Sequence, residues 1–301
     1  MQKIVIIHNP NSGKNKSHKH AVKLEKAIYK IKCDAKITLL ASTTFTILEE
    51  FMKNIPEDHY DLFVIIGGDG TIGPTVNMMK QYNVDIPIYC YGRGTANDFA
   101  SFFKTNVKPR KAAKKIAQGQ VTNVDTLLID DKVFACNVAC GGAFTNGVTQ
   151  YSKKGKRIFG KLAYMAKAIA VAFRLESQIL KFRVDDEEFE LDVFLFYILN
   201  TKNVGGLKNS SPLSEVDDGM LDLVALKRCG VWGKISLAFH QAFGIMHKCK
   251  YVKHMQGKNF TVSHREGDEV KHNFTFTDTD GNPYAPYPLH VRVSDKIKVV
   301  H

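Results

Sequence analysis

The chain has 301 residues, of which 44% are apolar and 24% are charged, a balance that is ordinary for a globular protein. This balance excludes a disordered chain and a collagen-like one. The 42 Lys and Arg residues exceed the 30 Asp and Glu residues, so the formal net charge of +12 predicts an anionic partner: a nucleic acid, an anionic lipid or a phosphorylated substrate.

The first 126 residues predict alternating strands and helices. Runs rich in β-branched and aromatic residues predict strands at residues 3–7, 35–40, 62–66, 86–91 and 123–128. The stretches between them predict helices at residues 17–31, 44–54, 71–81, 98–103 and 108–118. This order is typical of a parallel sheet flanked by helices, so the first part of the chain is predicted to be an α/β domain.

The pattern changes after residue 126 to short strand-like runs separated by turns. These runs predict strands at residues 133–139, 179–184, 189–200, 221–226, 259–263, 273–277 and 289–293. Two longer basic stretches, residues 158–174 and 231–254, predict amphipathic helices because their apolar residues recur at spacings of three and four. We therefore predict a second domain of antiparallel strands that carries two helices.

The motif GGDGT at residues 67–71 lies directly between a predicted strand and a predicted helix. Glycines let a phosphate approach the backbone, and a helix N-terminus presents free N–H groups to it. Asp69 would repel a phosphate unless a cation stood between them. Two further polar loops, NPNSGK at residues 9–14 and GRGTAND at residues 92–98, also follow predicted strands. The three loops together predict a site for a nucleotide with Mg²⁺ at the carboxyl edge of the sheet.

The motifs NPNSGK at residues 9–14, GGDGT at 67–71 and GTANDF at 94–99 resemble those of the diacylglycerol kinase catalytic-domain family, which includes bacterial lipid kinases and sphingosine and ceramide kinases. The resemblance continues downstream in the family's order, through Val124-Asp125, Gly141-Gly142, Ser211-Pro212, DDGM at 217–220 and Asp280-Gly281. It implies an N-terminal α/β domain similar to those of NAD kinases and phosphofructokinases, made of residues 1–126 and 294–301, to which the last strand, at 296–300, returns. It also implies a C-terminal antiparallel β-sandwich domain for the lipid substrate, residues 127–293.

The resemblance also implies roles for individual residues. Asp280 is expected to act as the base toward the lipid hydroxyl, and Lys14 to stabilise phosphate charge. Asp69, Asp98 and Asp125 are expected to hold a catalytic Mg²⁺, partly through water. A second, structural Mg²⁺ is expected at the side chain of Asp218 and the main-chain carbonyls of Glu215 and Met220. The residues expected to bind ATP are Asn9, Pro10, Asn11, Ser12, Gly13, Lys14, Ser42, Thr43, Gly67, Gly68, Asp69, Gly70, Thr71, Gly94, Thr95 and Asn97.

These features predict a kinase that uses ATP and Mg²⁺ to phosphorylate a lipid hydroxyl, with diacylglycerol converted to phosphatidic acid. Two departures from the family pattern leave other functions open. Gly73-Pro74 replaces the usual Asn-Glu pair, with Pro74 expected in the first turn of its helix. Asn282 replaces an acidic residue and cannot take a proton. A catalytically weak or inactive homologue that binds nucleotide or lipid is one alternative, and a soluble kinase similar to NAD kinases is another.

Several features of the sequence bear on where the protein acts. No apolar run approaches the roughly 20 residues that span a bilayer, and the six cysteines include no CxxC pair, which predicts buried thiols in a reducing cytoplasm. The basic run at residues 153–157 predicts either a solvated face or a patch that contacts an anionic membrane, where the lipid substrate lies. No nucleic-acid-binding motif is present, and the sequence allows a homodimer.

Overall fold

A computed structural model describes residues 2–10, 16–55, 59–142, 176–271, 274, 277–280, 282–284 and 287–301. The chain divides into two compact units. The first unit comprises Met1–Thr126, Phe134–Cys136 and Ser294–His301, and the second unit comprises Leu127–Val133 and Asn137–Val293. None of the described helices is both long enough and apolar enough to cross a membrane.

Strands and helices alternate through the first unit. The elements are β1 (Lys3–His8), α1 (Ser17–Tyr29), β2 (Lys36–Ala41), α2 (Phe45–Lys53), β3 (Leu62–Gly67), α3 (Asp69–Gln81), β4 (Ile88–Gly92), α4 (Asp98–Phe102), α5 (Pro109–Gln118) and β5 (Val121–Ile129). The first four strands form a parallel sheet in the order β4-β3-β1-β2. Strands β1 and β3 are apolar and buried over nearly their whole length, as is typical of parallel strands inside an α/β unit. Helices α1 and α5 cover one face, with Leu24 and Ile116 in the same core cluster as Ile4, Ile6 and Val64.

Helix α3 begins at Asp69, two residues before the predicted start at Thr71. Pro74 is therefore the sixth residue of α3, and the expectation that it lies in the first turn is wrong. A proline there cannot donate the N–H that would reach the carbonyl of Gly70. The helix nevertheless continues to Gln81, with Ile72 and Val76 buried on its inner face.

The second unit is built largely from antiparallel strands, as predicted. Its elements, in chain order, are β6 (Val133–Ala135), β7 (Val138–Gly142), β8 (Gln178–Val184), β9 (Glu187–Leu199), β10 (Leu221–Lys227), α6 (Val231–Ala242), a 3₁₀ turn (Met246–Lys248), β11 (Val252–Gly257), β12 (Asn259–His264), β13 (Thr277–Thr279), β14 (Asn282–Pro283) and β15 (Leu289–Val300). Strand β6 and β15 extend into the first unit. The long β9 pairs with β7, β8 and β10, so it forms the centre of the unit. Residues 193–199 of β9 are all buried, and the side chains of Phe196 and Ile198 are fully enclosed in the core.

Strand β15 is one continuous strand where two were predicted, at residues 289–293 and 296–300. Its beginning pairs with β12, from Leu289 opposite Val262 to Arg292 opposite Asn259. Near its end Val299 pairs in parallel with Ile88 of β4. The last strand of the chain therefore returns to the sheet of the first unit.

Several predictions for the second unit are wrong in detail. The predicted helix at residues 231–254 ends at Ala242, because Gly244 adopts φ +66° and the chain then turns into β11, which pairs with β10. The predicted strand at 133–139 is two strands, separated at Cys136 and Asn137. Thr277 of the predicted strand at 273–277 begins β13, whereas residues 273, 275 and 276 of that stretch and the predicted helix at 158–174 lie outside the described residues. Among the thiols expected to be buried, Cys33 is exposed.

Candidate functional site

The carboxyl ends of the parallel strands bring three predicted loops to one edge of the sheet. The order β4-β3-β1-β2 places the loop after β3 between the loops after β4 and β1. The chain moves from β1 outward to β2 and later from β3 outward to β4, so the strand order reverses between β1 and β3. Ligands of open α/β sheets bind in the crevice at such a reversal.

The loops after β3 and β4 touch backbone to backbone. A Cβ atom built on Gly94 would lie 2.4 Å from the Cα of Gly68, and one built on Gly68 would lie 2.9 Å from the Cα of Gly94. The N–H of Arg93 also donates to the carbonyl of Gly67 at 2.7 Å. Both glycines are therefore required by packing, whereas a Cβ on Gly70 would have no neighbour within 4 Å.

Two side chains fix the loop after β4. Asn97 adopts φ +54°, and its amide accepts the N–H of Gly94 at 2.6 Å and donates to the carbonyl of Gly94 at 3.0 Å. The Arg93 guanidinium stacks 3.6 Å from the centre of the Tyr91 ring and donates to the carbonyls of Gly92 and Val107. The positively charged side chain of this loop, Arg93, is therefore bound by groups of the protein itself. The predicted contact of Asn97 with a nucleotide stays a prediction.

Asp69 connects the N-termini of two helices. It is the first residue of α3, and its Oδ1 accepts the N–H of Phe99, in the first turn of α4, at 3.3 Å. Burial raises the pKa of the Asp69 carboxyl, although hydrogen bonds from the backbone N–H groups of Asp98, Phe99 and Asn97 act in the opposite direction. A bound cation would offset the cost of keeping this carboxylate charged, so Asp69 suits a metal ligand.

The two other predicted acidic residues of this unit are more deeply buried than Asp69. Asp98 begins α4, and Asp125 lies on β5 with its Oδ1 3.6 Å from Nζ of Lys296. Within the described ranges, no three His, Cys, Asp or Glu side chains lie close enough together to hold a metal ion. A direct three-carboxylate ligand set is therefore absent there, and the set that acts partly through water stays a prediction.

The remaining residues predicted to bind the nucleotide fall into three groups. Asn9, Pro10, Ser42 and Thr43 follow β1 and β2, and the N–H of Ser42 donates to the carbonyl of His8 at 3.0 Å, which joins these two strand ends. The exposed Gly70 and Thr95 lie on the loops after β3 and β4, and Thr71 lies in the first turn of α3 against Gly67. The others are outside the described residues: Asn11, Ser12, Gly13 and Lys14.

Asp280 lies in the turn between β13 and β14 of the second unit. It is 3% exposed and adopts φ +48°, a conformation that is uncommon for a residue with a side chain. Its Oδ1 accepts the N–H of Asn137 at 3.1 Å and the N–H of Val138 at 2.9 Å, and its own N–H donates to the carbonyl of Val138. These bonds hold a buried carboxylate in one orientation, as a positioned acid or base requires.

A buried polar network supports Asp280, and no motif in the sequence indicated it. The side chain of Asn137 accepts the Thr201 hydroxyl at 2.5 Å and donates to the carbonyl of Asn203 at 3.2 Å. The N–H of Asn200 donates to the Asn137 carbonyl at 2.9 Å. The polar run that follows the apolar strand β9 was a signal that could have been used, since buried polar groups require partners.

Ser211, His254 and Asp222 resemble the residue set of a serine hydrolase. The Ser211 hydroxyl is 3.5 Å from Nε2 of His254, and Oδ1 of Asp222 is 2.6 Å from the same Nε2. A hydrolase needs the carboxylate on one ring nitrogen and the hydroxyl on the other. This set therefore cannot relay a proton in that way, which agrees with the absence of a GxSxG motif from the sequence.

The predicted second metal site lies in the exposed turn before β10. Oδ1 of Asp218 accepts the N–H of Met220 at 3.0 Å, and Gly219 between them adopts φ +74°. Glu215 is exposed two residues before this turn begins. The turn brings Asp218 and Met220 together, and coordination of an ion by Glu215, Asp218 and Met220 stays a prediction.

Comparison with known proteins places the two units in described families. Residues 3–129 match the diacylglycerol kinase catalytic domain, and residues 140–300 match the YegS C-terminal NAD kinase beta sandwich-like domain. A diacylglycerol kinase of Bacillus subtilis (strain 168) is 30% identical over 239 residues, 77% of this chain and 76% of that protein. A diacylglycerol kinase of Staphylococcus saprophyticus is 27% identical over 230 residues, 75% of this chain and 73% of that protein.

Solved structures show the same fold. A diacylglycerol kinase structure from Bacillus anthracis str. Sterne matches with a TM-score of 0.73 at 22% identity, over 100% of this chain and 97% of that chain. At this identity the likeness concerns the fold alone. Together with the two family matches, it confirms the prediction of an α/β unit followed by an antiparallel β-sandwich unit.

Proposed function

This chain belongs to the diacylglycerol kinase family of lipid kinases, and from that premise we propose that it transfers the γ-phosphate of ATP to the hydroxyl of diacylglycerol, forming phosphatidic acid and ADP. The observation that supports the proposal is the junction of Gly68 with Gly94, beside which the half-buried carboxylate of Asp69 lies at the carboxyl edge of a parallel sheet. Phosphoryl transfer requires positioning and charge stabilisation more than a covalent nucleophile.

The first unit would bind the nucleotide through its backbone. The N-terminal turn of α3 would present backbone N–H groups to the phosphates, although the N–H of Thr71 already donates to the carbonyl of Gly68 at 2.8 Å. Gly70 is exposed in this turn and leaves room for close approach. Asp69, Asp98 and Asp125 are the side chains that would hold Mg²⁺. When bound, the ion supplies positive charge that stabilises the phosphate oxygens during transfer.

The second unit would supply the group that accepts the proton. In the proposed reaction, the lipid hydroxyl oxygen bonds to the γ-phosphorus, the bond from that phosphorus to the bridging oxygen breaks, and ADP leaves. The hydroxyl proton passes to the carboxylate of Asp280. The N–H groups of Asn137 and Val138 hold that carboxylate in place, so little reorganisation accompanies the transfer.

The proposed reaction is tested by incubating the protein with γ-labelled ATP, Mg²⁺ and diacylglycerol in mixed micelles and identifying the labelled product. We expect labelled phosphatidic acid, and we expect Asp69→Asn to reduce its formation about 1,000-fold, equivalent to about 4 kcal/mol. Asp85→Asn is the matched control, because Asp85 forms an exposed ion pair with Lys298 away from the loops. Label on NAD instead of lipid, or full activity of Asp69→Asn, would reject the proposal.

We also propose that Asp218 holds a structural Mg²⁺ together with the carbonyls of Glu215 and Met220. Added Mg²⁺ should raise the melting temperature of the protein, because an ion that binds only the folded state stabilises it. This stabilisation should disappear in Asp218→Ala and persist in Asp186→Ala, a change at another exposed aspartate of the second unit. An Asp218→Ala protein that responds to Mg²⁺ as the parent does would contradict the site.

A further inference from the structure

Helix α6 presents a large apolar face to solvent. Trp232 is 82% exposed, Phe243 66% and Phe239 53%, and Val231 and Ile235 are exposed as well. Ile235, Phe239 and Phe243 are spaced by four residues and so lie on one side of the helix. The rings of Phe239 and Phe243 are 4.5 Å apart between centroids. These five residues, which we call the α6 face, form one continuous apolar surface.

The protein core does not need these side chains. The opposite side of α6 is the one that packs, with Leu237 buried against Met246 and Cys249. Twelve large apolar side chains are exposed in the described part of the chain, and five of them belong to the α6 face. Single exposed apolar residues are common on protein surfaces, but a contiguous group of aromatic ones marks a surface that binds something apolar.

The chain segment that carries the α6 face is basic, although Arg228 of this segment pairs with Asp192 and Lys253 pairs with Glu187. Residues 223–265 contain eight Lys and Arg residues and no Asp or Glu. Lys248 and Lys250 are exposed on either side of the buried Cys249, which packs against the inner side of α6. Neither lysine forms an ion pair with a carboxylate of the described residues. Their charge is therefore available to an anionic surface.

We propose that the α6 face inserts into the headgroup region of a membrane that contains anionic lipids, with the surrounding lysines on the lipid phosphates. The proposal rests on the proposed function, which places the substrate in such a membrane. An amphipathic helix with aromatic residues on its apolar side and lysines around it is the usual form of an interfacial helix, and Trp is favoured at this depth.

A second copy of this chain fits the α6 face less well. A twofold contact through α6 would place the same surface on both subunits, so each basic border would meet the other. The lysines would then repel across the contact, whereas they attract anionic headgroups. The proposal does not involve the basic run at residues 153–157, which lies outside the described residues.

The chain offers a direct probe, because Trp232 is its only tryptophan. We expect its fluorescence to shift to shorter wavelength when the full-length protein meets vesicles of phosphatidylcholine and phosphatidylglycerol, and to be quenched by lipids brominated in their acyl chains. Vesicles of phosphatidylcholine alone should bind more weakly, and binding to the anionic vesicles should fall as salt rises. Emission that is unchanged at saturating vesicle concentration would overturn the proposal.

Variants separate the apolar and the charged contributions. The double variant Phe239→Gln/Phe243→Gln keeps the probe and should weaken vesicle binding at least about tenfold, since two exposed aromatic side chains lose their burial. Phe45→Gln is the matched control: Phe45 is 65% exposed on α2 of the first unit, and its loss should leave binding unchanged. Lys248→Gln/Lys250→Gln should reduce binding to anionic vesicles about fivefold per lysine and leave binding to neutral vesicles unchanged.

The outcomes also separate this proposal from the proposed function. Vesicle binding is measured without ATP and diacylglycerol, and kinase activity is measured on a short-chain diacylglycerol in solution, where Phe239→Gln/Phe243→Gln should be as active as the parent. Normal vesicle binding without activity on any lipid would support the α6 face and reject the proposed reaction. Parental vesicle affinity in the double variant would overturn the proposal. If the same change also converted a dimer to a monomer in sedimentation, the occupant of the α6 face would be a second copy.

Discussion

The candidate sites of the two units are built in different ways. In the first unit, most of the predicted functional residues lie shortly after the end of a parallel strand, as with Asp69 after β3 and Asn97 after β4, whereas Asp125 lies within β5. In the second unit, Asp280 is bound by backbone groups 142 and 143 residues away in sequence, at Val138 and Asn137. Parallel strands bring the loops that follow them to one edge of the sheet, so the residues of such a site occur in short local sequence motifs. Antiparallel pairing brings together segments that are distant in sequence, so no local motif contains the whole site.

The two sites also differ in what holds them. Close backbone contact between glycines fixes the first site, and a chain of buried hydrogen bonds fixes the second. Close backbone contact of this kind leaves no room for an added Cβ atom, so a single substitution forces the two loops apart. A hydrogen-bond network loses stability when one partner is removed and the other is left buried without a bond. Substitutions in each unit can therefore test whether the sites fail in these two ways.

The largest effect on activity is expected at Asp280 of the second unit. Asp280→Asn keeps an oxygen that can accept the N–H groups of Asn137 and Val138, but the amide cannot take a proton. We expect the rate of transfer to fall about 1,000-fold, equivalent to about 4 kcal/mol, with little change in melting temperature. Steady-state kinetics and thermal melting measure both quantities. A mild loss of rate would mean that another group accepts the proton.

The largest effect on stability is expected at the glycine junction of the first unit. In Gly94→Ala the new Cβ would meet the backbone of Gly68 at 2.4 Å, which forces the loops apart. Overpacking of this kind costs about 1–3 kcal/mol or more, so the melting temperature and ATP binding should both fall. Gly70→Ala is the matched control, since its Cβ meets nothing within 4 Å. We expect Gly70→Ala to keep the melting temperature of the parent and to lose only ATP affinity. Equal melting temperatures of Gly94→Ala and Gly70→Ala would show that the loops after β3 and β4 can move apart without loss of stability.

A smaller loss of stability is expected from the polar network of the second unit. Thr201→Val removes the hydroxyl that Asn137 accepts and leaves a buried amide oxygen without this partner. Such a loss costs about 1–3 kcal/mol. Thr201→Ser keeps the hydroxyl and should recover most of the stability. If the network also positions Asp280, Thr201→Val should lower kcat more than it raises the KM for the lipid, and Thr201→Ser should restore the parental kcat.

The smallest effect is expected from pH, through His8 at the end of β1. Burial and the neighbouring His18 lower the pKa of His8 below 6.5. The unfolded chain therefore binds this proton more tightly than the folded one, so stability is lost as the pH falls below 6.5 toward the lowered pKa. Burial also lowers the pKa of His20, His264 and His301, which add to the same trend. His8→Gln should make the melting temperature fall less between pH 7 and pH 5.5, and an unchanged slope would contradict the assignment.

The sequence predicted most of the strands and helices of the first unit. The predicted strands and helices are present with small shifts at their ends, because apolar periodicity and glycine turns are local signals. The motif at residues 67–71 was placed correctly between a strand and a helix. The predicted start of α3 was two residues too late, because Asp69 and Gly70 are residue types typical of loops. In the structure Gly68 adopts the extended conformation that precedes a helix, so α3 begins at Asp69.

Pairing between strands that are distant in sequence determined the features of the second unit that local sequence patterns did not predict. The stretch at 231–254 has helical periodicity throughout, yet residues 252–257 form β11 because β10 offers it a partner strand. The same pairing leaves α6 short and exposed. Asn137, Thr201 and Asn203 carried no motif, since their role arises only when β7 and β9 align side by side. Local patterns specified the elements and the motifs of the parallel half, and tertiary contacts between distant residues specified the site of the antiparallel half, because the partners of its buried polar groups are not neighbours in the chain.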